Sequence, residues 1–164
     1  MPYPFRSVFL VRGHSMSPTL RDGDLILISP RLGKRGRYDR GAVVVARIPT
    51  SSASGVADST SVKRVVGLPG EYVRAGKDGS VWIDDELLDE PYLTPAAQRA
   101  PGSGLSWPCD DGEYVLMGDN RADSWGGRQI APAPIEKIMG KVWLKLPTHR
   151  LLRRGSSERA RQTH

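Results

Sequence analysis

The sequence has a single cysteine, Cys109, and only three histidines. One cysteine excludes an internal disulfide framework and any zinc site built from cysteines. A Ser-His-Asp triad has no support either, because His149 and His164 lie near the C-terminal end, and His14 adjoins a serine on extended chain, where neighbouring side chains point apart. No set of His, Asp and Glu residues has metal-ligand spacing. We therefore expect neither a metal nor a cofactor.

Long hydrophobic runs are also missing. The longest run near the start, Val8 to Val11, has the length of a strand, whereas a membrane-spanning helix needs about 18 apolar residues or more. Pro2 and Pro4 interrupt the stretch in which the apolar part of a signal peptide would lie. The sequence as given thus predicts a protein that is soluble or bound peripherally to a membrane.

Basic residues outnumber acidic ones, which gives a formal net charge of +6. Much of the excess lies between Arg31 and Arg40 and in residues 149–164, a polar, basic stretch that predicts a disordered tail. Such charge attracts both anionic lipid and RNA, and charge alone does not choose between them. Together with the motifs described below, we expect peripheral membrane contact and no nucleic acid.

Glycine and proline are plentiful, with 18 and 13 residues among 164, which indicates many turns and short strands. We predict one mostly β, antiparallel domain over residues 1–148, with a small irregular insertion at about residues 76–112. The predicted strands are Ser7–Val11, Leu25–Ile28, Ala42–Ala46, Ser61–Val66, Glu71–Arg74, Ser80–Asp84, Glu113–Met117 and Lys141–Leu146. Pro49 to Thr60 predicts an exposed loop, and Pro132 to Ile138 predicts the one short helix.

The turn Gly13-His14-Ser15-Met16-Ser17-Pro18 contains the first candidate functional group. Ser17 precedes Pro18, which favours extended geometry and a role in the turn itself. Ser15 follows Gly13, whose missing Cβ lets backbone N–H groups approach a substrate carbonyl and act as oxyanion donors. Ser15 is therefore the predicted nucleophile. Because a serine hydroxyl is weakly nucleophilic at neutral pH, it needs a partner that takes its proton.

Lys63 is the candidate partner, because it lies in the apolar run Val62-Lys63-Arg64-Val65-Val66. Strand alternation places Lys63 on one face with Val65, and Arg64 on the other face, where it is predicted to be a structural charge partner. A lysine on an apolar face either extends its ammonium group to water or is buried and functional. Burial lowers the pKa of a lysine by disfavouring the charged form, and only the neutral amine accepts a proton.

A third segment, Gly118-Asp119-Asn120-Arg121-Ala122-Asp123-Ser124, is followed by Arg128. It predicts a tight turn that carries several hydrogen-bond donors and acceptors. Because glycine and Asx residues form turns by themselves, a structural role is the default interpretation of this segment.

These segments together resemble the type I signal peptidases, Ser/Lys endopeptidases that remove signal peptides from exported proteins. The resemblance covers about Val8 to Leu146. The matching segments, in chain order, are Ser15–Leu20 with Asp22–Asp24, Lys63–Glu71, the weaker Val81–Tyr92, and Gly118–Arg121 with Ser124. Each match is moderately specific by itself, and four matches in the expected order make the resemblance strong.

The resemblance implies that Ser15 is the nucleophile and that Lys63 is the general base, which later protonates the leaving amine. Ser124 falls where the family has a serine that orients the lysine. The implied oxyanion and substrate-binding residues are Gly13, His14 and Met16, and the implied structural residues are Pro18, Asp24, Arg64, Gly118, Asp119, Asn120, Arg121 and Arg128. The implied fold is a coiled antiparallel sheet or partly open barrel. The implied partner is a signal or leader peptide, bound in extended form and cut after small residues at an Ala-x-Ala type of site.

The sequence departs from the family pattern at two places. The last segment reads Ser124-Trp125-Gly126-Gly127-Arg128 where the family has Ser-x-Asp-Ser-Arg, so the acid that would pair with Arg128 is missing, and Asp123 is a candidate substitute. Family members also carry one or two N-terminal membrane helices, which this sequence does not show. The resemblance implies work at the outer face of the cytoplasmic membrane, whereas a natively anchorless chain would be soluble in the cytoplasm.

Three alternative functions stay open. The self-cleaving repressor domains of the DNA-damage response share the serine turn and the lysine strand, but they lack the Leu-Pro-Gly-Glu and Gly-Asp-Asn-Arg segments. A soluble maturation protease for one dedicated precursor, such as that of nickel superoxide dismutase, shares the mechanism and differs in substrate. An inactive relative would only bind peptides, and turnover of a small-residue peptide separates it from an enzyme.

Overall fold

The structure, a computed structural model, describes residues 7–29, 37–52, 55–100, 102, 104–122 and 132–146. The strands in these ranges are β1 Ser7–Leu10, β2 Leu25–Ser29, β3 Val43–Ser52, β4 Gly55–Gly67, β5 Tyr72–Ala75, β6 Val81–Ile83, β7 Glu86–Leu87, β8 Ser106–Pro108, β9 Glu113–Met117, β10 Pro132–Pro134 and β11 Ile138–Leu146. The α-helix α1 is Pro95–Gln98, Arg121 and Ala122 are helical at the end of a described range, and Ile135–Lys137 forms a 3-10 turn. None of the helices in the described ranges is long and apolar enough to span a bilayer.

The strands form two open antiparallel sheets. The larger sheet has the order β1-β2-β11-β3-β4-β9-β10, and the smaller has the order β7-β6-β5-β8. Among the described residues, the first and last strands of each sheet do not pair, so neither sheet closes into a barrel. The prediction of a mostly β, antiparallel fold is confirmed.

In the segment predicted as an exposed loop, residues 49–52 and 55–60 instead continue two paired strands, and residues 53–54 lie outside the described residues. The β3–β4 ladder runs from the pair of Val43 and Arg64 to the pair of Ser52 and Gly55. Backbone hydrogen bonds stabilise such a ladder whatever the side chains are, so a Ser/Ala/Gly-rich composition does not prevent it. The loop prediction is therefore wrong.

The helix predicted at Pro132 to Ile138 is also wrong. Residues 132–134 form β10, which pairs with β9 at the end of the larger sheet, and only residues 135–137 turn helically before β11. Proline lacks a backbone N–H, so a strand at the edge of a sheet accepts it at little cost. The α-helix lies at Pro95–Gln98 instead, where the side chain of Thr94 caps the N-terminus by accepting from the Ala97 N–H at 3.1 Å.

The smaller sheet packs against β4 and β9 of the larger one. Their shared core contains Val66, Val73, Val81, Trp107, Cys109, Val115 and Met117. Gly67 ends β4 inside this contact, and a Cβ there would lie 2.4 Å from Val73 Cγ2 and 3.0 Å from Val115 Cβ. Glycine is therefore required for the two layers to approach each other at this point.

Candidate active site

The serine turn is anchored in the core by residues that follow Ser15. Met16 and Leu20 are 2% and 3% exposed and pack with Ile26 and Val45. The Leu20 N–H donates to the Met16 carbonyl at 2.9 Å, which closes the turn. Because Met16 and Leu20 are buried, Ser15 stays at the rim of the core, half-buried, on backbone that the core holds in place.

At the start of this turn, the N–H of Gly13 is already hydrogen-bonded within the described part of the protein, whereas the N–H of Ser15 is not. Gly13 has φ +83°, a conformation that favours glycine, and its N–H donates to the Asp22 carboxylate at 2.8 Å. Among the hydrogen bonds of the described residues, the Ser15 N–H has no protein acceptor. Of these two groups, only the N–H of Ser15 can therefore bind a substrate oxyanion without first breaking a bond.

The far side of the turn is tied to β11 and to the following loop. Lys145 Nζ donates to the Thr19 carbonyl at 2.8 Å and lies 3.1 Å from the carboxylate of Asp24, which is 1% exposed. Asp24 also accepts the Arg21 N–H at 2.8 Å. Pro18 is exposed at the tip of the turn. These contacts hold the second half of the turn against β11 and against the loop that follows the turn.

Lys63 lies in β4 directly opposite Val44 of β3 and is 7% exposed. Val44 and Val65, on either side of it, are fully buried. Burial of an amine in apolar surroundings disfavours its ammonium form, because the charge loses its hydration. The structure thus buries the predicted base beside apolar side chains of β3 and β4, and its role as a base stays a prediction.

Arg64, the next residue, is held by Asp119. Arg64 Nε and Nη2 donate to the two carboxylate oxygens at 2.8 and 2.5 Å, and Nη1 donates to the Gly41 carbonyl at 2.8 Å. Asp119 is 1% exposed and also accepts the Thr19 hydroxyl at 2.5 Å. Although burial opposes the charge, the hydrogen bonds and attraction of Asp119 raise the pKa of Arg64 above its ordinary value. This ion pair therefore joins the lysine strand to the serine turn.

Asn120 makes the second connection to the serine turn. Its N–H donates to the Ser15 carbonyl at 2.9 Å, and its side-chain amide donates to the His14 carbonyl at 3.3 Å, while the His14 side chain is exposed. Two consecutive residues, Asp119 and Asn120, thus contact the neighbour of Lys63 and the backbone of Ser15. The three sequence segments that carry the predicted chemistry meet at one place in the fold.

A cleft of about 330 Å³ opens beside Ser15. One wall is the extended chain from Phe9 to Gly13, and the other is formed by Val45 and residues 60–62, immediately before Lys63. Met16 also lines the cleft. Most of the lining side chains are apolar.

Comparison with known proteins identifies the family of this chain. Residues 4–146 match the family model described as signal peptidase, peptidase S26. The chain belongs to the signal peptidase family. The predicted enzyme class, a serine peptidase and hence a hydrolase, is confirmed at the level of the family.

Two curated signal peptidases of Bacillus subtilis (strain 168) show the extent of the likeness. The chain is 34% identical over 138 residues to signal peptidase I U, a match that covers 80% of this chain and 70% of that protein. It is 35% identical over 127 residues to signal peptidase I T, covering 73% of this chain and 62% of that protein. A solved signal peptidase I of Enterococcus faecalis V583 aligns with a TM-score of 0.48 and 22% identity, over 65% of this chain and 97% of that one.

Glu90, which is buried, and Tyr92, which is half-buried, have partners in this signal peptidase family member that the sequence does not predict. Glu90 forms two hydrogen bonds with Arg121, which is fully buried, and the Tyr92 hydroxyl donates to Glu90 at 2.5 Å. The Tyr92 ring lies 4.0 Å from the guanidinium carbon of Arg64. Both residues precede α1 in a segment predicted to be irregular. Only tertiary contacts reveal their partners, because burial of a charge has no local sequence signal.

The turn after the lysine strand of this family member has its own ion pair. Arg40 donates to both carboxylate oxygens of Glu71, at 2.5 and 3.0 Å, and Glu71 accepts the Leu68 N–H at 2.7 Å. Arg40 also donates to the Val66 carbonyl. The end of β4 is therefore fixed beyond Lys63 as well as at Arg64.

Several predicted features of this family member lie outside the described residues. Ser124, its candidate acid partner Asp123, Arg128 and the basic tail at residues 149–164 are among them. The role assigned to Ser124 therefore stays a prediction. In the part of the chain that the structure describes, no group of three or more His, Cys, Asp and Glu side chains is placed to hold a metal ion.

Proposed function

We propose that this chain is an endopeptidase that removes signal or leader peptides from precursor proteins after small residues, with Ser15 as nucleophile and Lys63 as general base. The observation that carries the proposal is the link that Asp119 and Asn120 form between the Lys63–Arg64 strand and the Ser15 turn, beside an apolar cleft. The relatives named signal peptidase I support the substrate class.

Acylation begins when Ser15 Oγ attacks the scissile carbonyl carbon. The hydroxyl proton passes to the neutral amine of Lys63, and the negative charge that develops on the carbonyl oxygen is stabilised by the Ser15 N–H. The C–N bond then breaks, and the Lys63 ammonium returns its proton to the leaving amine nitrogen. The signal peptide remains as an ester on Ser15, and the mature protein departs with a new N-terminus.

Deacylation repeats the same steps with water. Lys63, neutral again, takes a proton from the attacking water, and the ester bond to Ser15 breaks as the serine recovers a proton. The product is the signal peptide with a free carboxylate. Lys63 thus acts once as base and once as acid in each half of the cycle, with Ser124 as the proposed group that orients it.

The test of this function is digestion of a purified precursor with an Ala-x-Ala site, followed by mass spectrometry. We expect one new N-terminus directly after the second small residue, since the cleft beside Ser15 has mostly apolar walls. A panel of precursors separates a general signal peptidase from a protease for one dedicated precursor, because only the latter would cut a single member. Absence of cleavage in every precursor would contradict the proposal.

The pH profile should report the ionisation of Lys63. We expect kcat/KM to rise with pH along one limb below the range of an exposed lysine, because only the neutral amine takes the proton of Ser15. Burial raises the pKa of the Cys109 thiol to about 11 and also raises the pKa of Tyr92, so these groups stay protonated near neutral pH and add no limb there. A profile that falls with rising pH, or activity lost to a chelator, would contradict a lysine base.

We further propose that the outer face of β1, β2 and β11 contacts a membrane. The register aligns Val8 with Leu27 and Leu144 in one row. Val8 is 59% exposed and Leu144 is 38% exposed, and the neighbouring row adds Leu10 and Leu146, at 44% and 42%. Apolar side chains in adjacent rows of one face form a continuous exposed patch, and the net positive charge of the chain favours an anionic lipid surface.

A vesicle flotation assay tests this contact. A Val8→Glu/Leu144→Glu variant should bind vesicles of mixed anionic and zwitterionic lipid at least about 10-fold more weakly, because each apolar side chain contributes about 1–3 kcal/mol when buried. Leu87→Glu is the matched control, since Leu87 is 60% exposed on the smaller sheet. Equal binding by all three proteins, or equal loss in both variants, would show that this face does not touch lipid.

A further inference from the structure

The segment Glu90-Pro91-Tyr92, between β7 and α1, reaches back from the smaller sheet to the candidate site. Glu90 is 7% exposed, although it is a carboxylate, and Tyr92 is half-buried. Burial, and then the neighbouring Glu90 charge, raises the pKa of Tyr92, so the phenol stays neutral and its O–H donates a hydrogen bond to Glu90. Burial of a charged carboxylate is costly unless the charge is paired. The partners of Glu90 and Tyr92 therefore show what this segment holds in place.

The Tyr92 ring covers one face of the Arg64 guanidinium. Asp119 and the Gly41 carbonyl hold the edges of this planar group, and the ring centroid lies 4.0 Å from its central carbon. An aromatic ring over a desolvated guanidinium is attracted to it and excludes water from it. Arg64 is consequently fixed along its edges and over one face, and Lys63 is its direct neighbour in β4.

Glu90 connects the segment Glu90–Tyr92 to the turn that begins at Gly118. It binds Arg121, which is fully buried and whose Nε donates to the Gly118 carbonyl at 3.1 Å. Gly118 precedes Asp119 and Asn120, the residues that contact Arg64 and the Ser15 carbonyl. The contacts therefore form a closed ring: Arg64, Tyr92, Glu90, Arg121, the Gly118 turn, and back to Arg64 through Asp119.

We propose that Tyr92 is a positioning residue for the Ser15 and Lys63 pair, acting through the ring that covers the Arg64 guanidinium. This inference rests on the proposed function. Loss of the ring opens Arg64 to water and loosens its bonds to Asp119, which also holds Thr19 in the serine turn. A misplacement of about 1 Å between reacting groups can lower a rate by about 100-fold.

The test compares Tyr92→Leu with Tyr92→Phe, which keeps the ring and removes only the hydroxyl. We expect Tyr92→Leu to lower kcat by about 10-fold to 100-fold with KM within about 3-fold of wild type, and Tyr92→Phe to keep kcat within about 3-fold. Tyr72→Leu is the control, because Tyr72 is 45% exposed on the smaller sheet and its hydroxyl bonds Ser106. A folded Tyr92→Leu enzyme with wild-type kcat would overturn the proposal, as would a Tyr92→Phe enzyme that is equally impaired.

Hydrogen exchange provides a readout that does not depend on activity. The Asn120 N–H donates to the Ser15 carbonyl, and we expect its protection to fall by about 10-fold in Tyr92→Leu but not in Tyr92→Phe or Tyr72→Leu. Unchanged protection in Tyr92→Leu would also overturn the proposal. If Tyr92→Leu does not fold, Tyr92→Met is measured by the same criteria. If the wild type cleaves no precursor, the proposed function fails. The exchange of the Asn120 N–H then still decides whether Tyr92 holds the backbone of the serine turn in place.

Discussion

Ser15→Ala and Lys63→Arg are each expected to abolish cleavage of a precursor with an Ala-x-Ala site. Removal of the nucleophile or base of such a pair costs at least about 10⁴-fold in turnover. Ser15→Ala removes the attacking oxygen. Lys63→Arg replaces the amine by a guanidinium, which does not lose its proton in a protein and so cannot act as a base. The measurement is the initial rate of product formation by mass spectrometry, with the wild type beside each variant.

Matched controls separate these roles from general damage. Ser17→Ala removes a hydroxyl from the same turn, and Lys141→Arg alters a half-buried lysine of β11. Both controls should keep a rate within about 3-fold of wild type, since surface changes away from the reacting groups usually have small effects. An active Lys63→Arg enzyme would remove lysine from the role of base. Activity in Ser15→Ala, together with its loss in Ser17→Ala, would move the nucleophile to Ser17.

Asp119→Ala is the second change with a large expected effect. It leaves the buried guanidinium of Arg64 without its carboxylate, which costs about 3–5 kcal/mol of the free energy of unfolding. It also frees the Thr19 hydroxyl, so the serine turn and the lysine strand lose a shared anchor. We expect turnover to fall by about 100-fold. Denaturant unfolding measures the first effect, and kcat measures the second.

Two further variants distinguish positioning from stability. Asp58→Ala breaks an exposed ion pair with Lys137, which should change the free energy of unfolding by less than about 1 kcal/mol and leave kcat unchanged. The double variant Arg64→Met/Asp119→Leu replaces the buried pair by apolar groups, which often restores stability. If the double variant also recovers wild-type kcat, Asp119 serves only the fold. If Asp119→Ala behaves like Asp58→Ala, the network does not hold the site.

Much of the fold could be predicted from local patterns. The strand prediction over Glu113 to Met117 is confirmed residue for residue, and that over Leu25 to Ile28 differs by one residue from β2. Runs of β-branched and apolar residues bounded by glycine turns favour strands through short-range effects alone. Local patterns do not predict the strands at residues 49–52 and 55–60. Their composition resembles a loop, and pairing between β3 and β4 supplied the ladder that made them strands.

The predicted helix at residues 132–138 failed for a related reason. Proline near the start of a segment is compatible with a helix or with an edge strand, and the sequence does not show which partner is near. In the fold, Ala133 packs into the core beside Tyr114, and the flanking prolines are more exposed than Ala133. Pairing with β9 therefore made residues 132–134 a strand and not the start of a helix.

The sequence by itself determined which residues carry the proposed chemistry, because a serine in a glycine-led turn and a lysine in an apolar strand are recognisable by residue type and immediate neighbours. Tertiary structure alone decided how the segments are joined. Arg64 and Asp119 are 55 positions apart, Thr19 and Asp119 are 100 apart, and Glu90 and Arg121 are 31 apart. Such partners have no local signature, because a buried charge finds its counter-charge only when folding removes both from water.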